Sequence, residues 1–264
     1  MLLNVNILLK KVIFSGIMMK IAEKGEYTVR AVDIRRKILP DYAIIPTALW
    51  LVGLGISYYF SRLINFIIHN NSYDGYFDIS LPVDEFIPLI PAWVYVYVLT
   101  YPFWLVCFLL IAKEEKELCC RAFTADFIGK IIGAAIFIAL PTFVVRPEVP
   151  SDTFPGWLLN GIYFLDTPDN LFPSMHCSVS WIAVRYVLKC KKAPDWYKAF
   201  SVVMVILICL SVVFTKQHVV ADIFGGLLLA ELCTQLCNRT NIYKLYYKMD
   251  IGKFYESKRT KENA

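Results

Sequence analysis

From residue 86 to residue 112 the chain carries no Asp, Glu, Lys or Arg. A run of that length covers the ~30 Å of a bilayer's hydrocarbon, because ~20 helical residues suffice. Residues 42–61 are likewise free of charge, and four more apolar runs follow at about 127–145, 174–190, 196–215 and 218–237. The fold class expected is therefore all-α, a polytopic membrane protein with six spans in one helix bundle. Composition agrees: 58% of 264 residues are hydrophobic and 19% charged, too apolar for a typical soluble domain. The net charge of +5 sits in short loops between spans and not along one stripe, so nucleic acid is not an expected partner. Runs four and six are interrupted by Arg185, Asp222 and Glu231, which a membrane protein hides inside its bundle.

The organisation expected is a basic cytoplasmic segment over 1–41, a membrane domain over 42–237 and a basic cytoplasmic tail over 238–264. A short interfacial helix is expected within 1–20, and the tail reads as solvated or lying on the membrane surface. Lys10, Lys11, Lys20, Lys24, Arg30, Arg35, Arg36 and Lys37 precede the first run, whereas residues 65–90 hold no Lys or Arg. Lys113, Lys116 and Arg121 follow the second run, and Lys189, Lys191, Lys192 and Lys198 follow the fourth. The positive-inside rule then places both termini in the cytoplasm and the loops after runs one, three and five outside. One of those loops holds the sequon Asn70-Asn71-Ser72, which has meaning only in a secretory-pathway host. The eight cysteines lack the two spaced pairs of a zinc site and read as small core residues, those near loops being open to acylation.

Two of the three histidines stand at the mouths of apolar runs, in Pro173-Ser174-Met175-His176 and in Lys216-Gln217-His218-Val219-Val220-Ala221-Asp222. Arg146-Pro147 closes a third run. With six spans, Arg146, His176 and His218 all fall on the outer face. His218 and Asp222 are four apart, so on a helix they share a face. The carboxylate then holds one imidazole nitrogen and leaves the other as a nucleophile. His176 is placed to protonate a leaving oxygen and later to take a proton from water. Arg146 suits phosphate oxygens through its planar fork, Ser174 adds a hydroxyl, Lys216 adds a point charge, and the start of run four offers free N–H groups. Charge on a five-coordinate phosphorus is stabilised by such groups, so no metal and no cofactor is expected. Gly225 and Gly226 read as helix-packing positions. Asp166 and Asp169 read as loop caps, Arg185 as paired in the bundle or near the inner interface, and Glu231 as too far from His218 for catalysis.

These residues resemble the type 2 phosphatidic acid phosphatase (PAP2) superfamily, whose motifs are Lys-x6-Arg-Pro, Pro-Ser-x-His and Ser-Arg-x5-His-x3-Asp. The second stands intact at 173–176, and the third keeps His218, Asp222 and the following Gly225-Gly226. The resemblance implies that His218 attacks phosphorus, Asp222 orients it, His176 handles the leaving-group proton, and Arg146 and Ser174 hold the phosphate. Two positions depart. The Lys of the first motif is Ala139, and the Arg six residues before the nucleophile is Val212, although Ser211 persists. Lys130 is expected at the opposite membrane face, unable to replace the missing Lys, while Lys216 supplies part of the missing charge. Thr215-Lys216-Gln217-His218 resembles the inositol phosphorylceramide synthase branch, which includes transferases. The expected activity is a lipid phosphate or polyprenyl diphosphate phosphatase working through phosphohistidine. The partners are then the lipid phosphate substrate and membrane lipids, in a bacterial cell membrane with the site facing outward. A lipid head-group phosphotransferase is the first alternative and an inactive membrane scaffold the second.

Overall fold

The computed structural model describes residues 39–70 and 72–252. The interfacial helix expected within 1–20, nearly all of the 1–41 segment and the end of the tail lie outside those residues.

The described residues form nine α-helices and no strand: α1 Ile44–Ile68, α2 Pro82–Phe86, α3 Val94–Ala112, α4 Lys116–Ala139, α5 Phe154–Leu165, α6 Met175–Val187, α7 Asp195–Phe214, α8 Val220–Arg239 and α9 Lys244–Tyr247. Five of them, α1, α3, α4, α7 and α8, are long and apolar enough to cross a membrane. The fourth expected span is the exception. Its helix, α6, has 13 residues, about 20 Å at 1.5 Å per residue, short of the ~30 Å required. The reason is its place: α6 packs against α3, α4, α7 and α8 at once. Nine of its residues are buried, Ser178 and Ser180 among them. A helix enclosed by other helices has little contact with lipid and need match neither its thickness nor its polarity.

Prolines and ion pairs account for where the other boundaries fall. Pro91 opens a tight turn over Pro91–Trp93 that delays α3 until Val94. α4 begins eleven residues before the expected run, because its charges are paired one turn apart. Glu117 meets Arg121 at 2.8 Å, and Asp126 meets Lys130 at 2.6 Å. The second pair is buried, so Lys130 lies in mid-helix, not at a membrane face. α4 stops at Ala139 because Pro141 disfavours a helical residue before it. Arg146 therefore lies in a loop and does not end a span.

Arg185 pairs with Glu231 of α8 at 3.0 Å, and Trp181 donates to the same carboxylate at 2.9 Å. All eight cysteines are free, and seven are buried. The part of the tail within the described residues is not solvated throughout. Tyr243 and Tyr246 are buried with Cys120 of α4, and Lys116 bonds Asp250 at 2.6 Å. This end of the bundle also joins the loop after α3 to the loop after α6, through Lys191 to Glu115 at 2.9 Å. The histidine-bearing ends of α6 and α8 lie at the other end.

Candidate functional site

The reversal between α7 and α8 builds the first half of the site. After Phe214, Lys216 takes a left-handed conformation, with φ at 52°. The N–H groups of Gln217 and His218 then both reach back to the Val212 carbonyl, at 2.9 and 3.0 Å. Val212, where the family motif has Arg, is fully buried. His218 precedes the first helical residue, so it does not share a helix face with Asp222. The two meet because Asp222, third in α8, folds back over the helix start. Its Oδ2 accepts from the Val219 N–H and from His218 Nδ1, each at 3.0 Å. Such a cap is worth about 1 kcal/mol, so one carboxylate both starts the helix and orients the imidazole.

α6 brings the second histidine. Ser174 caps it, accepting from the Cys177 N–H at 3.4 Å, and the Ser174 N–H donates to the Asp222 carbonyl at 3.0 Å. This close approach depends on glycine. A Cβ at Gly226 would lie 2.4 Å from the Ser174 carbonyl oxygen, and one at Gly225 would meet the Phe172 ring at 2.3 Å. Both glycines are thus packing positions. The His176 and His218 rings lie 5.8 Å apart between centroids. Around His176 stand Tyr97 at 4.6 Å and Trp104 at 5.6 Å, with the Tyr101 hydroxyl 3.5 Å from Nε2. Tyr101 and Trp104 also wall a cavity of about 410 Å³ between α1, α3, α4 and α6, with Trp50, Leu105 and Val179.

Arg146 enters from the loop after α4. Its two Nη atoms donate to the carbonyls of Asp166 and Thr167, and Nη2 donates also to Gln217 Oε1. The guanidinium lies 4.7 Å from the Tyr163 ring centroid, and the Tyr163 hydroxyl donates to the Thr215 carbonyl at 2.7 Å. Gln217 thus links Arg146 to the turn that carries His218. Asp166 is more than a loop cap. Its carboxylate accepts from Tyr58 at 2.8 Å and Tyr97 at 2.9 Å, tying the carbonyl that holds Arg146 to the ring beside His176. Asp169 accepts from Thr167 and stands 3.6 Å from Arg62. Lys216 donates to the Asp84 carbonyl at 3.0 Å, and Asp84 Oδ1 accepts from the Val220 N–H at 2.8 Å. Its ammonium is therefore tethered to α2.

The structure thus brings Arg146, Ser174, His176, Lys216, His218 and Asp222 to one end of the bundle. Three buried polar atoms there have no partner: Arg146 Nε, Gln217 Nε2 and Asp222 Oδ1. Among the described residues, no group of three or more His, Cys, Asp or Glu is placed to hold a metal ion. Tyr97, Tyr163, Asp166 and Gln217 were not singled out as site residues from sequence. Of these only Gln217, next to His218, lay inside a motif.

Residues 144–245 match the PAP2 superfamily. No curated protein matches the chain. The match spans Arg146, both histidines and Asp222, and it implies a phosphatase-type activity. PAP2 members are phosphatases or related phosphoryl transferases. With five helices able to cross a bilayer, the PAP2-like chain reads as an integral membrane protein.

Proposed function

We propose that this chain is a membrane-embedded phosphatase of lipid phosphates or polyprenyl diphosphates, acting through a phosphohistidine on His218. The observation that carries the reading is the His218–Asp222 pair, 3.0 Å between Nδ1 and Oδ2, set against His176 in a bundle of apolar helices. With Nδ1–H donated to Asp222, Nε2 of His218 holds the lone pair that attacks phosphorus. The P–N bond forms as the P–O bond to the leaving oxygen breaks (the lipid alcohol of a monophosphate, the bridging oxygen of a diphosphate), and protonated His176 gives its proton to that oxygen. Water then attacks the phosphohistidine. His176 takes the water's proton, the P–N bond breaks, and inorganic phosphate leaves. Arg146 Nε and Gln217 Nε2 supply donors to the phosphoryl oxygens, and Lys216, its ammonium held at the Asp84 carbonyl, adds positive charge from the same turn as Gln217. The α6 N-terminus, capped by Ser174, adds its free N–H groups. The cavity walled by Tyr101 and Trp104, whose side chains also meet His176, is of a size to take part of a hydrocarbon chain, with Lys130 on its α4 side. Basic residues gathered at the other end support a cytoplasmic position for that end and an outward-facing site, with α6 as the fourth and shortened of six spans.

The test is phosphate release by the purified protein from phosphatidate, phosphatidylglycerophosphate and undecaprenyl diphosphate, beside His218→Ala. Release abolished in the variant, with unchanged thermal unfolding, is expected. A variant that keeps the wild-type rate sinks the mechanism. Ala139 and Val212, at positions where the motifs carry charge, favour a second reading, transfer of the phosphoryl-bearing group to an alcohol. Supplied with a phosphodiester lipid and an acceptor alcohol together, a transferase would form a new phosphodiester on the acceptor and release diacylglycerol, with no free phosphate, and that outcome would select it.

A further inference from the structure

Helix α5 has two unlike faces. One packs inward: Leu159 is buried with Val94 and Val149, Asn160 holds the Val149 carbonyl at 2.8 Å, and Tyr163 lies against the Arg146 guanidinium. The other face exposes Phe154, Trp157, Phe164 and Leu165, at spacings of three, seven and one residues, and Phe164 is 85% exposed. No residue of the helix is charged. An uncharged aromatic face of this kind marks a contact surface. Its surroundings name the occupant. Phe154 stacks on Trp157 at 5.7 Å and on Tyr95 at 6.3 Å. Tyr95 begins an exposed apolar row that continues through Leu99 and Val106 along α3, a helix able to cross the membrane. The α5 face is thus continuous with a surface that lipid covers. Aromatic side chains gather at the boundary between headgroups and acyl chains.

We propose that α5 is an interfacial anchor, its Phe154, Trp157, Phe164 and Leu165 face seated in the headgroup–acyl boundary of the bilayer at the site end. Its inner face holds Arg146 through Tyr163, so the anchor sets the guanidinium at the depth where a lipid phosphate lies. The anchor rests on the membrane-embedded reading of the bundle, and only its consequence for substrate rests on the phosphatase reading.

The test reconstitutes the full chain carrying Phe164→p-benzoylphenylalanine into vesicles of phosphatidylcholine and phosphatidylglycerol. After illumination, intact mass is expected to show an adduct of one lipid. No adduct, or a covalent dimer of the protein, overturns the anchor, and neither result depends on catalysis. In parallel, Phe164→Ser combined with Leu165→Ser is expected to raise KM roughly fivefold for a vesicle-embedded lipid phosphate. KM for a short-chain, water-soluble phosphate stays unchanged. An equal effect on both substrates refutes the positioning role. A lipid adduct from a protein that releases no phosphate would remove the phosphatase reading and leave the anchor standing.

Discussion

A single methyl group at Gly226 tests whether the site depends on the contact between α8 and the start of α6. In Gly226→Ala the new Cβ would lie 2.4 Å from the Ser174 carbonyl oxygen and 3.2 Å from the Cys177 Cβ, where ordinary contact begins at 3.4 Å. The nearest atom belongs to a backbone, so no side chain can swing aside, and the two helices must part by about 1 Å. Overpacking of this kind costs about 1–3 kcal/mol. The same displacement separates Asp222 and His218 from Ser174 and His176, and a shift of about 1 Å at reacting groups costs on the order of 10²-fold in rate. The assay pairs thermal unfolding in detergent with kcat for phosphate release. Gly55→Ala, at a helical glycine with open space around it, serves as the control and should leave rate and Tm at or above wild type. Wild-type Tm and kcat in Gly226→Ala would show that the contact is not what aligns the two histidines.

Two further substitutions probe the roles of single groups. Asp222→Asn keeps the shape of the side chain but replaces an acceptor oxygen of the His218 and Val219 bonds with an amide on one side. A fall in kcat on the order of 10³-fold with little change in KM is expected, read from steady-state kinetics. Arg146→Lys keeps the charge but loses the fork that engages Asp166, Thr167 and Gln217 together. Loss on the order of 10²-fold in kcat/KM, not recovered by raising substrate, is expected.

Much of this arrangement can be read from the chain because it is written locally. Uncharged runs mark α1, α3 and α7, and the histidines announce themselves by standing where charge is costly. Two of the misplacements bear directly on the site, and both have physical causes. α6 reads as a full span because its apolar residues suit a buried core as well as they suit lipid, and hydropathy does not tell the two apart. His218 and Asp222 meet as expected, but through a cap and not along a helix face, because four-residue spacing serves both geometries. α5 gives no signal of its own. Its Pro155-Gly156 start resembles a loop, although Thr153 caps the helix and proline fits its first turn. Asp166 is invisible for a different reason: its tyrosines are 108 and 69 residues away in sequence, and a single chain carries no record of such pairings.

The enclosure of α6 has a consequence for how the protein meets membranes of different kinds. A bilayer that thickens or thins acts on the helices it touches, by tilting or stretching them. Here those are the long outer helices, while the helix that carries Ser174 and His176 has four protein neighbours. The positions of Ser174 and His176 are therefore insulated from lipid composition, whereas Asp222 at the start of α8 and Arg146 against α5 are held by elements that meet the bilayer. The packing around α6 should change little between vesicles of short and long acyl chains, with the cost of mismatch borne by the periphery.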